Sequence, residues 1–206
     1  MLSLLRNAGF GLRDYNPEHR TPNEYTILRI ERRDVNLDLV HFTVFTTSLG
    51  NMALVSKNEK LISLDIRRES VDAIIKNILN LYPEGVESVK LFKGIYAQLD
   101  RYLRGERIDF NVDIDISEMG TFTRNVLFEL RKIPYGELRS YLWIGKRLGY
   151  RNAARAVGQA VKRNPIPLII PCHRIIREDG SIGGFSLGIP IKEKLLTLEG
   201  IVLKRW

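Results

Sequence analysis

Cysteine is almost absent from this sequence: among 206 residues there is one, Cys172. One cysteine cannot close a disulfide within the chain, so nothing in the composition indicates an oxidising compartment. It also excludes a zinc site built from several thiolates. The histidines are His19, His41 and His173, and they lack the spacing of metal ligands. We therefore predict a protein that binds no metal and no organic cofactor.

Long apolar runs are missing as well. No run approaches the roughly 20 residues that cross a membrane as a helix. Hydrophobic residues nevertheless make up 44% of the chain, which is enough for a packed core. The first 20 residues contain three arginines and lack the apolar stretch and cleavage site of a secretory signal. The sequence predicts a protein without a membrane partner, in the cytoplasm or, in a eukaryote, the nucleus. We also expect the protein to act as a monomer.

Negative charge is scarce in the second half of the chain. Residues 1–116 contain 16 Lys and Arg against 17 Asp and Glu, whereas residues 117–206 contain 16 against 7. A basic half beside a neutral one indicates a polyanionic partner that touches one half only. Nucleic acid is favoured over an anionic membrane, because no basic amphipathic helix with bulky apolar anchors is present. The change in charge also places a predicted domain boundary at Ser117.

The first half is predicted to combine short strands with two helices. Residues 1–24 are predicted to form an arm of their own. The runs with strand character are YTILRIERR, LVHFTVFTTS, NMALVSK and LISLDIRR, separated by turns. Apolar residues on one face predict helices over 69–81 and 89–105. Residues 108–116 alternate apolar and acidic side chains and are either a strand or an extended linker.

The second half is predicted to be mainly helical. Its helical stretches are TFTRNVLFELRKIP, YLWIGKRLG, AARAVGQAVKR and PIKEKLLTLEG. Ser140 and Asn152 are the predicted N-caps of the second and third. Two short helices joined by a few residues within a basic domain suggest a helix-turn-helix. A buried extended piece, residues 166–171, leads to Cys172, and a glycine-rich loop over 179–188 precedes the last helix.

Cys172 lies in the stretch LIIPCHRII. A single cysteine among apolar residues is commonly a small buried hydrophobe. However, Pro171 fixes the backbone, and His173 and Arg174 place donors or positive charge nearby, which favours the nucleophilic thiolate. Adjacent side chains of a strand point to opposite faces, so a Cys–His pair requires a tight turn or a bridging water. Glu199, at the end of the last helix, is a candidate to orient the imidazole.

Small residues characterise the helix that contains Arg155. The arginine projects from a surface made by Ala154, Ala156 and Gly158. Such a surface suits a tightly packed interior helix. It also lets a helix approach a DNA minor groove closely, where one long cation can enter the base stack. Chemistry on a duplex base requires that the base be extruded, and the gap must then be filled.

Two aromatic residues allow either a structural or a functional interpretation. The loop GGFSLG contains Phe185, and it is either a flexible surface turn or the wall of a base pocket with an aromatic ring for stacking. Tyr141 is either a core aromatic or a phenol that donates a proton.

Residues 121–200 resemble the O6-alkylguanine-DNA alkyltransferases, also called methylated-DNA–protein-cysteine methyltransferases. The pieces that carry the resemblance are TFTRNVLFELRKIPYGELRSY, AARAVGQAVKRNPIPLIIPCHRII, the GGFS loop and KEKLLTLEG. The N-terminal half resembles the family only in outline. The resemblance implies an α+β protein of two domains. Residues 1–116 would form a ribonuclease H-like small β-sheet with helices, and residues 117–206 a mainly helical domain with a winged helix-turn-helix.

The resemblance also implies a reaction. A member of this family repairs duplex DNA: it flips O6-alkylguanine out through the minor groove and moves the alkyl group irreversibly to its own cysteine, once per molecule. Cys172 would be the nucleophile, and His173 would deprotonate it through a water. Glu199 would orient the histidine, and Tyr141 would assist the departure of guanine. Asn164 would brace the turn next to the active site.

The remaining implied roles concern the DNA and the flipped base. The residues expected to serve them are Arg155, Ala154, Ala156, Gly158, Asn164, Ile175, Phe185 and Ser186. Arg155 would replace the flipped base, Phe185 would stack on it, and the Ser186 N–H would meet O6. The backbone carbonyls of Cys172 and Ile175 would accept hydrogen bonds from the guanine amino group.

Two other classes of function remain open from the sequence. A lesion-recognition protein would bind alkylated bases without repairing them, but relatives of that kind lack the thiol that Cys172 provides. A Cys–His hydrolase or acyltransferase would turn over a small ester or amide, and it would have no need of a basic half.

Overall fold

The computed structural model of this chain describes residues 39–202. The arm predicted for residues 1–24 and the strand predicted for residues 25–33 lie outside the described residues. Within 39–202, no helix is long and apolar enough to pass through a membrane.

A four-stranded sheet forms the first part of the described chain. Three predicted strands make an antiparallel meander: β1 (Val40–Thr47), β2 (Gly50–Lys57) and β3 (Lys60–Arg67). A two-residue strand, β4 (Val86–Glu87), pairs in parallel with β1 and gives the order β3-β2-β1-β4. The sequence did not predict β4, because two residues are too few to show an alternating pattern.

Helices cover both faces of this sheet. Helix α1 (Val71–Leu81) packs on one face through Ile74 and Ile78, and helix α2 (Val89–Leu103) packs on the other. Because both faces are covered, five consecutive residues of β2 are buried instead of alternating. The C-terminal turn of α2 carries Tyr102, which is fully buried where the two halves of the chain meet.

The stretch 108–116 is an extended linker along the free edge of β3. One bridge, between Leu61 and Ile114, joins it to that strand, with hydrogen bonds on either side. Its apolar residues enter a hydrophobic core that continues into the second half. The domain boundary at Ser117 therefore stays a prediction, since one core runs through both halves.

The second half of the described chain contains four helices: α3 (Thr121–Arg131), α4 (Tyr141–Arg147), α5 (Ala154–Lys162) and α6 (Ile189–Leu198). Ser140 caps α4 as predicted, since its hydroxyl accepts from the Trp143 N–H at 3.0 Å. The N-cap predicted at Asn152 is wrong. Helix α5 begins at Ala154, so its N-cap is Ala153, one residue after Asn152. The side chain of Ala153 has no hydrogen-bond acceptor.

Two further short strands join the segment that precedes α4 to the segment that follows Cys172. Strand β5 (Arg139–Ser140) pairs in parallel with β6 (Ile175–Ile176), which follows Cys172. The segment 166–171 is buried as predicted, but it is not extended. The chain turns at Leu168, whose φ of 70° lies in the left-handed region that most residues avoid.

Candidate active site

Cys172 begins a short 3-10 turn that ends at Arg174. Side chains at successive positions of such a turn point about 120° apart, so Cys172, His173 and Arg174 face different directions. Only 2% of Cys172 is exposed, yet the residue lines a cavity of about 310 Å³. The adjacent histidine and arginine are buried beneath the turn. The tight turn is therefore present, but the described residues show no direct hydrogen bond between the Cys172 sulfur and the His173 ring.

The cavity beside the thiol is lined by residues from several segments that the sequence analysis singled out. Its lining consists of Tyr141, Gly158, Val161, Lys162, Cys172, Gly184, Phe185 and Ser186. These come from the start of α4, from α5, from the 3-10 turn and from the glycine-rich loop. The Phe185 ring stands edge-on to the His173 ring, with 6.5 Å between centroids. The volume of the cavity, about 310 Å³, lies at the lower end of the range found for small-molecule sites.

Tyr141 forms one side of this cavity and contacts the glycine-rich loop. Gly183 has a φ of +67°, and a Cβ there would lie 3.3 Å from the Tyr141 hydroxyl. A larger residue at 183 would therefore push the loop away from the phenol. Burial and the nearby Cys172 raise the pKa of Tyr141, so its hydroxyl keeps a proton that it can donate.

One side-chain amide holds the loop that leads to the thiol. Asn164 Nδ2 donates to the Ile170 carbonyl at 2.8 Å and to Cys172 Sγ at 3.0 Å. Its Oδ1 accepts from the Ile166 N–H at 3.0 Å. The buried backbone groups of this loop thus find in Asn164 the partners that a neighbouring strand would otherwise supply.

The expectation that His173 and Arg174 favour a thiolate at Cys172 is wrong for the resting protein. Burial raises the pKa of the Cys172 thiol to about 11, and it outweighs the hydrogen bond from Asn164 and the charge of Lys192. Arg174 is turned away from the sulfur and pairs with Glu199. The thiol is therefore protonated at neutral pH and needs a base before it can attack.

Glu199 gathers the buried polar groups under the turn. Its Oε1 accepts from the Tyr102 hydroxyl at 2.6 Å, from His173 Nε2 at 2.8 Å and from Arg174 Nη2 at 2.9 Å. Its Oε2 accepts from Arg174 Nε at 3.0 Å and from the Gly136 N–H at 3.1 Å. Burial alone would raise the pKa of Glu199, but the hydrogen bonds from His173 and Arg174 and the charge of Arg174 lower it to about 2.

His173 is fully buried, and its two ring nitrogens have different surroundings. Burial lowers the pKa of His173, against the opposing influence of Glu199, so the ring is neutral. Because Glu199 is ionised and accepts only, Nε2 carries the hydrogen and Nδ1 keeps its lone pair. Nδ1 is buried and has no hydrogen-bond partner among residues 39–202. It can therefore accept a proton.

Lys192 is a site residue that the sequence reasoning missed. It is fully buried, and its Nζ donates to the carbonyls of Ile175 and Ile182, which ties the segment after the thiol to the glycine-rich loop. Burial lowers the pKa of Lys192 to about 8, with Cys172 acting in the opposite direction. The Ile175 carbonyl keeps a second lone pair for another donor.

The outer face of α5 is open and positively charged. Arg155 and Ala156 are exposed, and Ala154 and Gly158 are partly exposed. Arg155 has no hydrogen bond or ion pair with another residue of the described chain. Residues 151–163, which contain this helix, have four exposed basic residues and no Asp or Glu: Arg151, Arg155, Lys162 and Arg163. This face suits a polyanion.

The groups around Cys172 are suited to activating a thiol. A neutral imidazole has one nitrogen held by a carboxylate and the other without a partner among the described residues, and the sulfur borders a cavity large enough for a small ring system. The described residues contain no group of three or more His, Cys, Asp and Glu that could hold a metal ion. The arrangement supports a nucleophilic displacement on a molecule bound in the cavity.

Two family models match this chain. Residues 40–116 match the 6-O-methylguanine DNA methyltransferase ribonuclease-like domain, and residues 121–201 match the DNA binding domain of the same family. Tyr102 falls in the first match, whereas Cys172, His173 and Glu199 fall in the second.

Several characterised proteins are similar over most of the chain. The methylated-DNA–protein-cysteine methyltransferase of Metallosphaera sedula is 35% identical over 167 residues, which is 81% of this chain and 97% of the relative. The enzyme of that name from Methanosarcina acetivorans is 36% identical over 162 residues, or 78% and 99% of the two chains. The crystal structure of Mycobacterium tuberculosis OGT in complex with DNA is 33% identical, with a TM-score of 0.67, and covers 77% of this chain and 92% of that one.

Proposed function

This chain belongs to the 6-O-methylguanine DNA methyltransferase family, and from that premise we propose which of its residues carry out the family's reaction. It is a methylated-DNA–protein-cysteine methyltransferase: it repairs DNA by moving an alkyl group from O6 of guanine to a cysteine of its own, once per molecule. The predicted α+β architecture with a ribonuclease-like part and a DNA-binding part is confirmed.

Cys172 is the acceptor in this proposal. It is the single cysteine of the sequence, and its side chain borders the cavity. Sγ attacks the alkyl carbon from the side opposite O6. An S–C bond forms, the C–O6 bond breaks, and the electron pair leaves with guanine. The product is a thioether, which explains why each molecule reacts once.

His173 is the base in this proposal. With a thiol pKa of about 11, very little thiolate exists at neutral pH without help. The proton passes from Sγ through a water to Nδ1 of His173, the nitrogen that has no partner among residues 39–202. Glu199 orients the ring through Nε2 and stabilises the imidazolium that forms.

The flipped base occupies the cavity in this proposal. Phe185 stacks on the purine and the Ser186 N–H donates to O6. The hydroxyl of Tyr141 donates to the ring and so stabilises the leaving guanine. The carbonyls of Cys172 and Ile175 accept from the amino group. Support comes from the lining of the cavity, which includes four of these five residues, and from the protonated state of the phenol.

Helix α5 enters the minor groove in this proposal. Ala154, Ala156 and Gly158 allow close approach, and Arg155 fills the place of the flipped base. Helices α4 and α5 act as the helix-turn-helix of the predicted winged domain. The exposure of Arg155 and the absence of acidic residues between 151 and 163 support this orientation.

One copy of the chain is sufficient in this proposal. The thiol, its base and the cavity all come from a single chain, which supports action as a monomer. The substrate is genomic DNA, so we place the protein in the cytoplasm or, in a eukaryote, in the nucleus.

Intact-protein mass spectrometry tests the assignment of Cys172. After incubation with duplex DNA that contains one O6-methylguanine, the wild-type protein gains a single methyl group and Cys172→Ala gains none. DNA binding by Cys172→Ala, measured by fluorescence anisotropy, shows that the variant is folded. A wild-type protein that binds the damaged duplex with no change in mass overturns the assignment and favours lesion recognition without repair.

A further inference from the structure

Tyr102 connects the ribonuclease-like half to the catalytic groups. It lies in the last turn of α2, within the match to the ribonuclease-like domain, and it is fully buried. Its hydroxyl lies 2.6 Å from Glu199 Oε1 and 3.2 Å from His173 Nε2. Those partners are 97 and 71 residues away in the sequence. The hydroxyl therefore reaches both members of the catalytic pair from the opposite half of the chain.

The direction of these hydrogen bonds follows from the charges. Glu199 is ionised and can only accept, and the hydrogen on His173 Nε2 already points to the same oxygen. The hydrogen of the Tyr102 hydroxyl must therefore go to Glu199. Burial and the charge of Glu199 raise the pKa of Tyr102 well above its ordinary value, so this donor does not ionise.

Packing leaves the Tyr102 ring little freedom. The Phe110 ring lies 5.4 Å from it between centroids, and the Tyr135 ring stands edge-on at 6.1 Å. Leu99 and Leu103, on the same helix, are also buried. A hydroxyl on a ring held in this way fixes the position of whatever accepts from it.

We propose that Tyr102 is a positioning residue for alkyl transfer: its hydroxyl fixes the Glu199 carboxylate and thereby the orientation and basicity of the His173 imidazole. Tyr102 touches neither the sulfur nor the cavity. The inference rests on the proposed role of His173 as base. It makes the ribonuclease-like half a part of the catalytic apparatus.

The groups that face His173 determine the effect of losing this hydroxyl. Lys192 approaches from α6 and Glu199 from the residue that caps it. Arg174 and Cys172 approach from the turn itself, and Tyr102 from α2. Among them Glu199 alone favours the imidazolium, because the two cations oppose it. Without the phenol, Oε1 has more negative charge to offer Nε2, and the pKa of His173 rises. A smaller fraction of the base is then neutral, and the carboxylate is less firmly held.

Tyr102→Phe in the full chain tests the proposal. The rate of benzyl transfer from free O6-benzylguanine is measured across pH, so that base flipping does not enter. We expect the rate at neutral pH to fall about tenfold, as is common when a buried partner of a catalytic group is removed. We also expect the midpoint of the acidic limb of the profile to move to higher pH.

Tyr135→Phe is the matched control. The Tyr135 hydroxyl also joins the two halves, since it donates to the Leu198 carbonyl at 2.8 Å and to the Gly105 carbonyl at 3.3 Å. It makes no hydrogen bond to Glu199 or His173 in the described chain. This variant should lose a similar amount of stability in thermal unfolding and keep the wild-type pH profile.

A second variant changes the strength of the Tyr102 donor and leaves the buried volume of the side chain nearly unchanged. 3-Fluorotyrosine placed at position 102 is a stronger donor of nearly the same size, so the acidic limb should move to lower pH. The inference is overturned if Tyr102→Phe keeps the wild-type midpoint, if Tyr135→Phe shifts it equally, or if fluorination has no effect. A wild-type protein that fails to gain the benzyl group would instead overturn the assignment of Cys172, and this inference with it.

Discussion

Burial decides how Cys172 behaves as a chemical group. From the sequence, the neighbouring His173 and Arg174 favour a thiolate, because cations lower the pKa of a thiol. The structure shows the opposite at rest, since the cost of burying an anion raises the pKa to about 11. A thiol kept neutral in this way is protected from side reactions. It becomes a nucleophile only when a base acts on it.

The buried pair of His173 and Glu199 makes the protein sensitive to acid. Folding lowers the pKa of Glu199 from 4.5 to about 2 and lowers that of His173 from 6.5. Both groups therefore contribute stability that is present above pH 6.5 and is lost as the pH falls toward 2. We expect the melting temperature to fall through this range when it is measured by differential scanning calorimetry.

Glu199→Gln identifies the source of that sensitivity. The substitution leaves Arg174 without its anion, so it should reduce the free energy of unfolding at neutral pH by about 3–5 kcal/mol. The loss of stability below pH 4.5 should then be smaller than in the wild type. Glu118→Gln, at an exposed position, is the control. An unchanged acid dependence in Glu199→Gln would show that other groups cause it.

In helix α6 and its C-cap, the helical spacing of the sequence marks charged residues that are buried together with apolar ones. Lys192, Leu195, Leu196 and Glu199 follow the spacing of one helix face, and all four are buried. Two charged residues on an apolar face were therefore a signal that the sequence offered for both Lys192 and Glu199. What the pattern could not supply was their partners, because those lie on other elements.

Arg155 of helix α5 should serve the binding of duplex DNA and not the transfer chemistry itself, because it does not line the cavity. We expect Arg155→Ala to slow alkyl transfer from duplex DNA about tenfold or more, because unstacking a base costs a few kcal/mol and the variant has nothing to fill the gap. Transfer from free O6-benzylguanine should be unchanged. Rates on the two substrates under single-turnover conditions provide the comparison.

Arg163→Ala is the control that distinguishes the insertion of the Arg155 side chain into DNA from the simple loss of one positive charge. Arg163 is an exposed cation at the other end of α5, so its loss reduces the positive charge by the same amount. This variant should weaken duplex binding slightly and leave the ratio of the two rates near that of the wild type. Equal losses for Arg155→Ala on duplex and free base would rule out the insertion of this side chain.

At the scale of the whole molecule, the uneven charge should make repair of DNA sensitive to salt. Residues 117–206 contain 16 basic against 7 acidic residues, and phosphate contacts release counterions when they form. The logarithm of the duplex affinity should fall linearly with the logarithm of salt concentration, with a slope of about −0.9 per phosphate contacted. Transfer from the free base should not depend on salt. Titrations at several salt concentrations measure both.

A single core joins the two halves of the chain. Residues from β1 to α6 share one hydrophobic cluster, and Tyr102 adds a polar connection across the same junction. The change in net charge near Ser117 reflects charged side chains, which lie mostly at the surface. The hydrophobic core does not divide at that position. Surface charge and core packing respond to different demands, so a boundary seen in one need not exist in the other.

The sequence by itself determined the helices, the three strands of the meander, the basic half and the thiol, because each depends on residues close together in the chain. It did not reveal β4, β5 or β6, which are each two residues long. Glu199 was already a candidate partner of His173. Only the tertiary structure decided that Tyr102 meets this pair, that Lys192 ties the segment after the thiol to the glycine-rich loop, and that the thiol rests neutral. Contacts between distant segments and the burial they produce depend on how the whole chain turns back on itself, which no local pattern encodes.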